Sequence, residues 1–167
     1  MSTKKMSRIV MLSALAIALR VSFGAFPNIK PISALFFVCV LYLSFRDALC
    51  IMAITMIGTS FLFGFGIVVF WQVLSFTLIL TLWKILAIPL TRLIKQKVLV
   101  QSFLAGIFIF LYGFVISLLS ALQFGIHPII YWLNGIPFDV AHALSTALFY
   151  PIILHIFRRF YHEKMDV

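Results

Sequence analysis

The sequence predicts an all-α integral membrane protein: a single transmembrane domain over residues 1–167, with six transmembrane helices and both termini in the cytoplasm. Three observations carry that expectation. Hydrophobic residues make up 64% of the chain and charged residues 10%, against about a quarter charged in a soluble domain, so too little polar material remains to cover a water-facing surface. The apolar residues fall into long runs separated by charge, Gly or Pro. Between those runs, basic residues are crowded in some connections and almost absent from the others. The same composition excludes a disordered chain, a coiled coil and a disulfide-stapled domain, because there are two cysteines, few charges and little polar low-complexity sequence.

A helix needs about 20 residues to cross about 30 Å of hydrocarbon. The first run, Ile9 to Phe26, follows Lys4, Lys5 and Arg8; its length, the Arg20 inside it and the lack of a small-x-small cleavage site make it a retained span rather than a signal peptide. The second and third, Ile32 to Phe45 and Ala48 to Phe63, are short. Either they tilt little and end in the headgroup layer, or they form a hairpin partly shielded by protein. The fourth, fifth and sixth are Ile67 to Leu90, Val98 to Leu122 and Phe138 to Phe157.

Six spans and an inner amino terminus put Lys4, Lys5, Arg8, Arg46, Arg92, Lys95, Lys97, Arg158, Arg159 and Lys164 on the inner side, and only Lys30 outside. That is the positive-inside pattern. An odd number of spans would move the Arg158–Arg159 pair and Lys164 outward. The basic clusters therefore read as topology signals and not as a phosphate-binding stripe for nucleic acid. Cys39 and Cys50, without CxxC spacing, read as free, buried thiols.

The inner connections are plain charged turns, whereas the outer ones are elaborate. Phe26 to Pro31 is a stiff two-proline loop, Gly64-Phe65-Gly66 a tight turn, and Gln123 to Pro137 a long loop rich in Gly, Pro and aromatic residues. Elaboration on one face points to a ligand captured from outside.

Polar residues inside the spans mark the candidate site. Arg20 lies in the outer half of the first span, where a guanidinium needs a partner, a cavity or a path to the interface. Lys84 sits near the inner end of the fourth span, within snorkelling reach of the headgroups. Asp139, His142 and Thr146, at i, i+3 and i+7, form a polar stripe on one face of the last span. One Asp and one His make a poor metal site, and no metal is expected; nor does a Ser, Cys or second carboxylate stand at a supporting catalytic spacing. The stripe therefore pairs with Arg20 or faces a ligand. Trp71 and Gln72 at the head of the fourth span, with Tyr131, Trp132 and Asn134 in the long outer loop, sit at the same level. Aromatic faces beside amides suit a flat polar small molecule. The candidate binding set is Arg20, Asn28, Trp71, Gln72, Trp132, Asn134, Asp139 and His142. Ala14, Ala18 and Ser22, and again Gly113, Ser117 and Ala121, follow the small-xxx-small spacing that lets another helix approach closely.

Taken together, the chain resembles the substrate-binding S component of an energy-coupling factor (ECF) type ABC vitamin transporter. The likeness rests on about six spans, the basic amino terminus, the Ala14-x-x-x-Ala18 motif and the elaborate outer loops, and covers essentially the whole chain. Phe26-Pro27-Asn28-Ile29-Lys30-Pro31-Ile32-Ser33-Ala34, Gly64-Phe65-Gly66 with Trp71-Gln72, and Pro137-Phe138-Asp139-x-x-His142-Ala143 are similar to the subgroup associated with cobalamin or its precursors. The resemblance implies a transport subunit of the bacterial plasma membrane, not an enzyme. Such a subunit binds a water-soluble vitamin, with cobalamin or a related corrinoid first and pantothenate or hydroxymethylpyrimidine next. It docks through Ala14, Ala18 and Ser22 onto a membrane T component, and topples to release its cargo. ATP and Mg²⁺ would belong to two partner ATPases, since this chain has no Gly-x-x-x-x-Gly-Lys-[Ser/Thr] loop and needs no cofactor of its own. Two other classes fit the residues alone: an integral membrane enzyme acting on lipid or peptide, with Asp139 and His142 as acid and base, and a membrane assembly protein without a ligand.

Overall fold

The computed structural model describes residues 2–92 and 94–161, without the side chain of Arg92; Lys164, counted above among the inner charges, lies outside them. Every element among the described residues is a helix, with no strand. The helices are α1 (Thr3–Ser22), α2 (Ile32–Tyr42), α3 (Phe45–Phe63), α4 (Ile67–Leu82), α5 (Ile88–Arg92), α6 (Lys97–Phe124) and α7 (Pro128–Phe160), with α4 running into α5 through a π-helical turn, Trp83–Ala87.

Among the described residues, four helical segments are long and apolar enough to cross a membrane: Phe45–Phe63, Ile67–Thr91, Lys97–Phe124 and Pro128–Phe160. Their outward faces carry bare hydrocarbon, with Phe61 79%, Leu122 72% and Leu148 71% exposed. Apolar surface on that scale has no place in water, and the chain is a membrane protein. α1 is long enough but carries Lys4, Lys5, Arg8 and Arg20. α2 has 11 residues, about 16 Å of helix, roughly half of a bilayer core.

α2 shows why a short apolar run need not meet lipid. It is hydrophobic all round, ten of its residues are buried, and it packs chiefly on α7 while touching α1, α3, α4 and α6. A helix without a polar face belongs in a core. Phe37 meets Trp83 at 4.5 Å between ring centroids, and Trp83 in turn packs edge-on against Phe108 and Tyr150.

Several expected boundaries shift. α3 begins at Phe45 rather than Ala48, because Ser44 caps it: its Oγ accepts from the Asp47 amide at 3.3 Å. Arg46 and Asp47 thus lie in the first turn, and Asp47 pairs with Lys5 at 2.8 Å. The π-turn precedes Pro89, which has no N–H to give the Ile85 carbonyl; the Ile88 amide instead reaches back to the Trp83 carbonyl. Lys84, on that turn, stands 4.7 Å over the Phe45 ring. Cys39 is buried as expected, whereas Cys50 is exposed.

The largest correction concerns the expected outer loop from Gln123 to Pro137. Only Gly125–His127 separate α6 from α7, and Tyr131, Trp132, Asn134 and Pro137 all belong to α7. Gly125 makes this tight reversal possible by taking φ +65°, a left-handed conformation that costs glycine little. Pro128 then opens α7 at a position where its missing N–H is harmless.

Both ends of the described chain lie at one end of the bundle. There the Arg8 guanidinium stands 5.4 Å over the Tyr161 ring, beside the Lys5–Asp47 pair. The connections 23–31, 64–66 and 125–127 close the opposite end, and the site lies beneath them.

Candidate functional site

Every helix that reaches the loop end contributes to a cavity of about 220 Å³. Arg20 comes from the end of α1, Asn28 and Lys30 from the α1–α2 loop, and Ile32 from the start of α2. Met56 comes from α3, Gln72 and Phe76 from α4, Tyr112 and Ile116 from α6, and Asp139 and His142 from α7. A polar chamber inside an otherwise apolar bundle is where a membrane protein places function.

Arg20 is held from two sides. Nη2 donates to Gln72 Oε1 at 3.2 Å, and Nη1 donates to the Met56 sulfur, a weak acceptor. Its guanidinium also lies 5.9 Å from the centroid of Phe63, and the Lys30 ammonium sits 5.8 Å from the same ring. Burial, and then the neighbouring Arg20 charge, hold Lys30 below the usual lysine pKa.

The loop that carries Lys30 is fastened to α7 at two points. Asn28, at φ +57°, donates from Nδ2 to the Phe138 carbonyl at 3.2 Å, and Ser145 Oγ donates to the Lys30 carbonyl at 3.4 Å. Asparagine tolerates the left-handed conformation better than most residues. Deeper in, His142 Nε2 and Ser33 Oγ share a hydrogen bond of 2.7 Å. The His142 ring meets Tyr112 edge-on, and Tyr112 packs on Phe76. Together these contacts fix the imidazole.

Asp139 is buried against Gly113 of α6, where a Cβ would overlap its carboxylate. The α6–α7 contact is the most extensive in the bundle, and Gly113 is what lets the two helices close over an acidic side chain. Trp132 Nε1 lies near the carboxylate, but neither it nor Asp139 Oδ2 completes a well-formed hydrogen bond. The alternative in which Asp139 pairs with Arg20 is not formed. Among the described residues the ion pair is Lys5–Asp47, at the other end of the molecule.

Of the eight candidate binding residues, Arg20, Asn28, Gln72, Asp139 and His142 line the cavity. Trp132 stands behind Asp139, packed on Phe110 and Phe114. Trp71 points elsewhere: successive helix residues differ by about 100°, so with Gln72 facing inward its neighbour turns out, where Nε1 donates to Gln123 at 2.8 Å. Asn134 is exposed, since five residues of helix set it about 140° round from Asp139. Thr146, the third member of the stripe, is fully buried and its hydroxyl has no partner.

Lys30, Ile32, Met56, Phe76, Tyr112 and Ile116 were not among the expected site residues. Lys30 was legible as the lone outer cation between two prolines, whereas Met56 and Ile116 carry no signal that separates them from ordinary core. Ala14, Ala18 and Ser22 are exposed along the outward side of α1. Among the described residues no group of three or more His, Cys, Asp or Glu could hold a metal. No family model, curated protein or solved structure matches the chain.

Proposed function

We propose that the chain is the substrate-binding S component of an ECF-type ABC importer in a bacterial plasma membrane, crossing it six times with both termini in the cytoplasm. The observation that carries this reading is the polar cavity under the loop end, built by residues from all parts of the chain inside an apolar bundle. With the basic, terminus-bearing end inside, the cavity opens toward the outer face, where a nutrient arrives. The exposed Ala14, Ala18 and Ser22 leave a shallow groove on α1 for a T component. Two ATPase subunits with their ATP and Mg²⁺ would supply the energy.

The size of the cavity refines the cargo. About 220 Å³ falls below the usual 300–1,000 Å³ of ligand pockets, and a corrinoid with its side chains is several times larger. A vitamin built on one ring or a short chain, of the size of pantothenate or hydroxymethylpyrimidine, fits this chamber better than cobalamin does.

The test is to purify the protein in mild detergent, identify copurifying small molecules by mass spectrometry, and follow thermal unfolding with water-soluble vitamins. A tight ligand raises the unfolding temperature by mass action. The expected result is one small vitamin that copurifies and stabilises. Turnover of a lipid or peptide that is lost in Asp139→Asn would favour the membrane-enzyme alternative and overturn the reading.

A further inference from the structure

Arg20 and Lys30 belong to different segments, yet both line the cavity and both stand within 6 Å of the Phe63 ring centroid, at 5.9 and 5.8 Å. Two cations drawn to one ring repel each other, and burial adds to that cost. The lowered pKa of Lys30 has the same origin. Neither has a carboxylate partner among the described residues, because Asp139 is turned onto Gly113. The backbone of Lys30 is held beside the cavity, since its carbonyl and the side chain of Asn28, two residues before it, are anchored to α7. Arg20 spends one donor on a methionine sulfur, an acceptor that an oxyanion readily replaces.

We infer that the ligand of this cavity carries an oxyanion, a carboxylate or a phosphate, that seats between Arg20 and Lys30. The inference rests on the cavity being a ligand site, as proposed above, and adds the charge and polarity of what fills it. The rest of the molecule extends toward Asp139 and His142. Asp139 lines that end of the cavity with an acceptor-only carboxylate, so that end of the ligand offers a donor, a hydroxyl or an amide N–H. A guanidinium and an ammonium read the oxyanion, Gln72 orients the guanidinium, and the carboxylate at the far end rejects a second anionic group.

The experiment uses matched acid and neutral compounds against the full-length protein in detergent: pantothenate and panthenol, nicotinate and nicotinamide, biotin and biotinamide. Glycerol phosphate serves as a probe for a lipid headgroup, and affinities come from calorimetry. The expected result is that one acid binds at least about tenfold tighter than its neutral partner. Lys30→Met should cut the affinity for that acid by about tenfold and so remove most of its advantage over the neutral partner, while Lys30→Arg keeps the preference.

Binding of a neutral or cationic vitamin with no acid preference overturns the oxyanion seat and leaves the transport reading standing. Binding of glycerol phosphate alone supports the seat and overturns the vitamin reading. If nothing binds and nothing copurifies, the cavity is not a ligand site, and both fall.

Discussion

Gly113→Ala tests the most demanding contact in the bundle. The added Cβ would overlap both the carboxylate carbon and oxygens of Asp139, and Asp139 is buried on a short side chain with little freedom to retreat. Overpacking of a tight core costs about 1–3 kcal/mol, and so deep an overlap belongs in the upper half of that range. Against it, replacing Gly by Ala in a helix interior gains about 0.5–1 kcal/mol. The expected net loss is about 1–2.5 kcal/mol. In an Asp139→Ala background the overlap is gone and only the helix gain remains, so Gly113→Ala should then stabilise by about 0.5–1 kcal/mol. The pair therefore couples by about 2–3 kcal/mol in a double-mutant cycle. Asp139→Asn is the control, since it keeps the shape and removes the charge; Gly113→Ala should remain destabilising there. Unfolding of the purified variants by added denaturing detergent supplies the free energies. If Gly113→Ala costs the same with and without the Asp139 side chain, the close packing of α6 on this residue is not what the structure describes.

Ala14→Trp or Ala18→Trp should abolish copurification with a T component and ATP-dependent uptake yet spare ligand affinity, because both residues face away from the cavity; uptake that survives in the double variant would discard this docking face. Tyr150→Phe leaves Gln101 Oε1, which accepts the tyrosine hydroxyl at 3.0 Å in a buried chain to Thr91, without its donor, at an expected cost of about 1–3 kcal/mol read by the same unfolding assay. Ser44→Ala should cost about 1 kcal/mol through loss of the α3 cap. For Lys30 the folded pKa lies below the unfolded one, so the unfolded chain binds more protons and wild-type stability rises as pH passes upward through the folded pKa. Lys30→Met should therefore be no less stable than wild type near neutral pH, and any advantage should shrink in alkaline buffer; a loss of stability at neutral pH would contradict a net cost of holding this ammonium in the fold.

Hydrophobic content, the spacing of apolar runs and the alternation of basic connections were enough to show a helical membrane protein and the approximate place of each helix. Those properties follow from the solvent: lipid demands long apolar helices whichever neighbours they meet. Helix ends set by local chemistry were partly legible too. Ser44 followed by Asp47 marks the start of α3, although the charges at Arg46 and Asp47 had suggested a later one. The apparent loop from Gln123 to Pro137 misled because Gly and Pro usually punctuate, whereas Pro128 sits at a helix start and Pro137 is carried inside α7 by its surroundings. For the site, the sequence determined that Arg20, Asp139 and His142 lie toward the loop end, because an ionisable group in a span advertises itself. Only the tertiary structure decided which of them share a chamber. That depends on the rotation of each helix about its axis, and a single residue step turns a side chain by about 100°. So Gln72 faces Arg20 while Trp71 leaves for Gln123, and Lys30 enters the cavity because Asn28 and Ser145 tie its loop to α7.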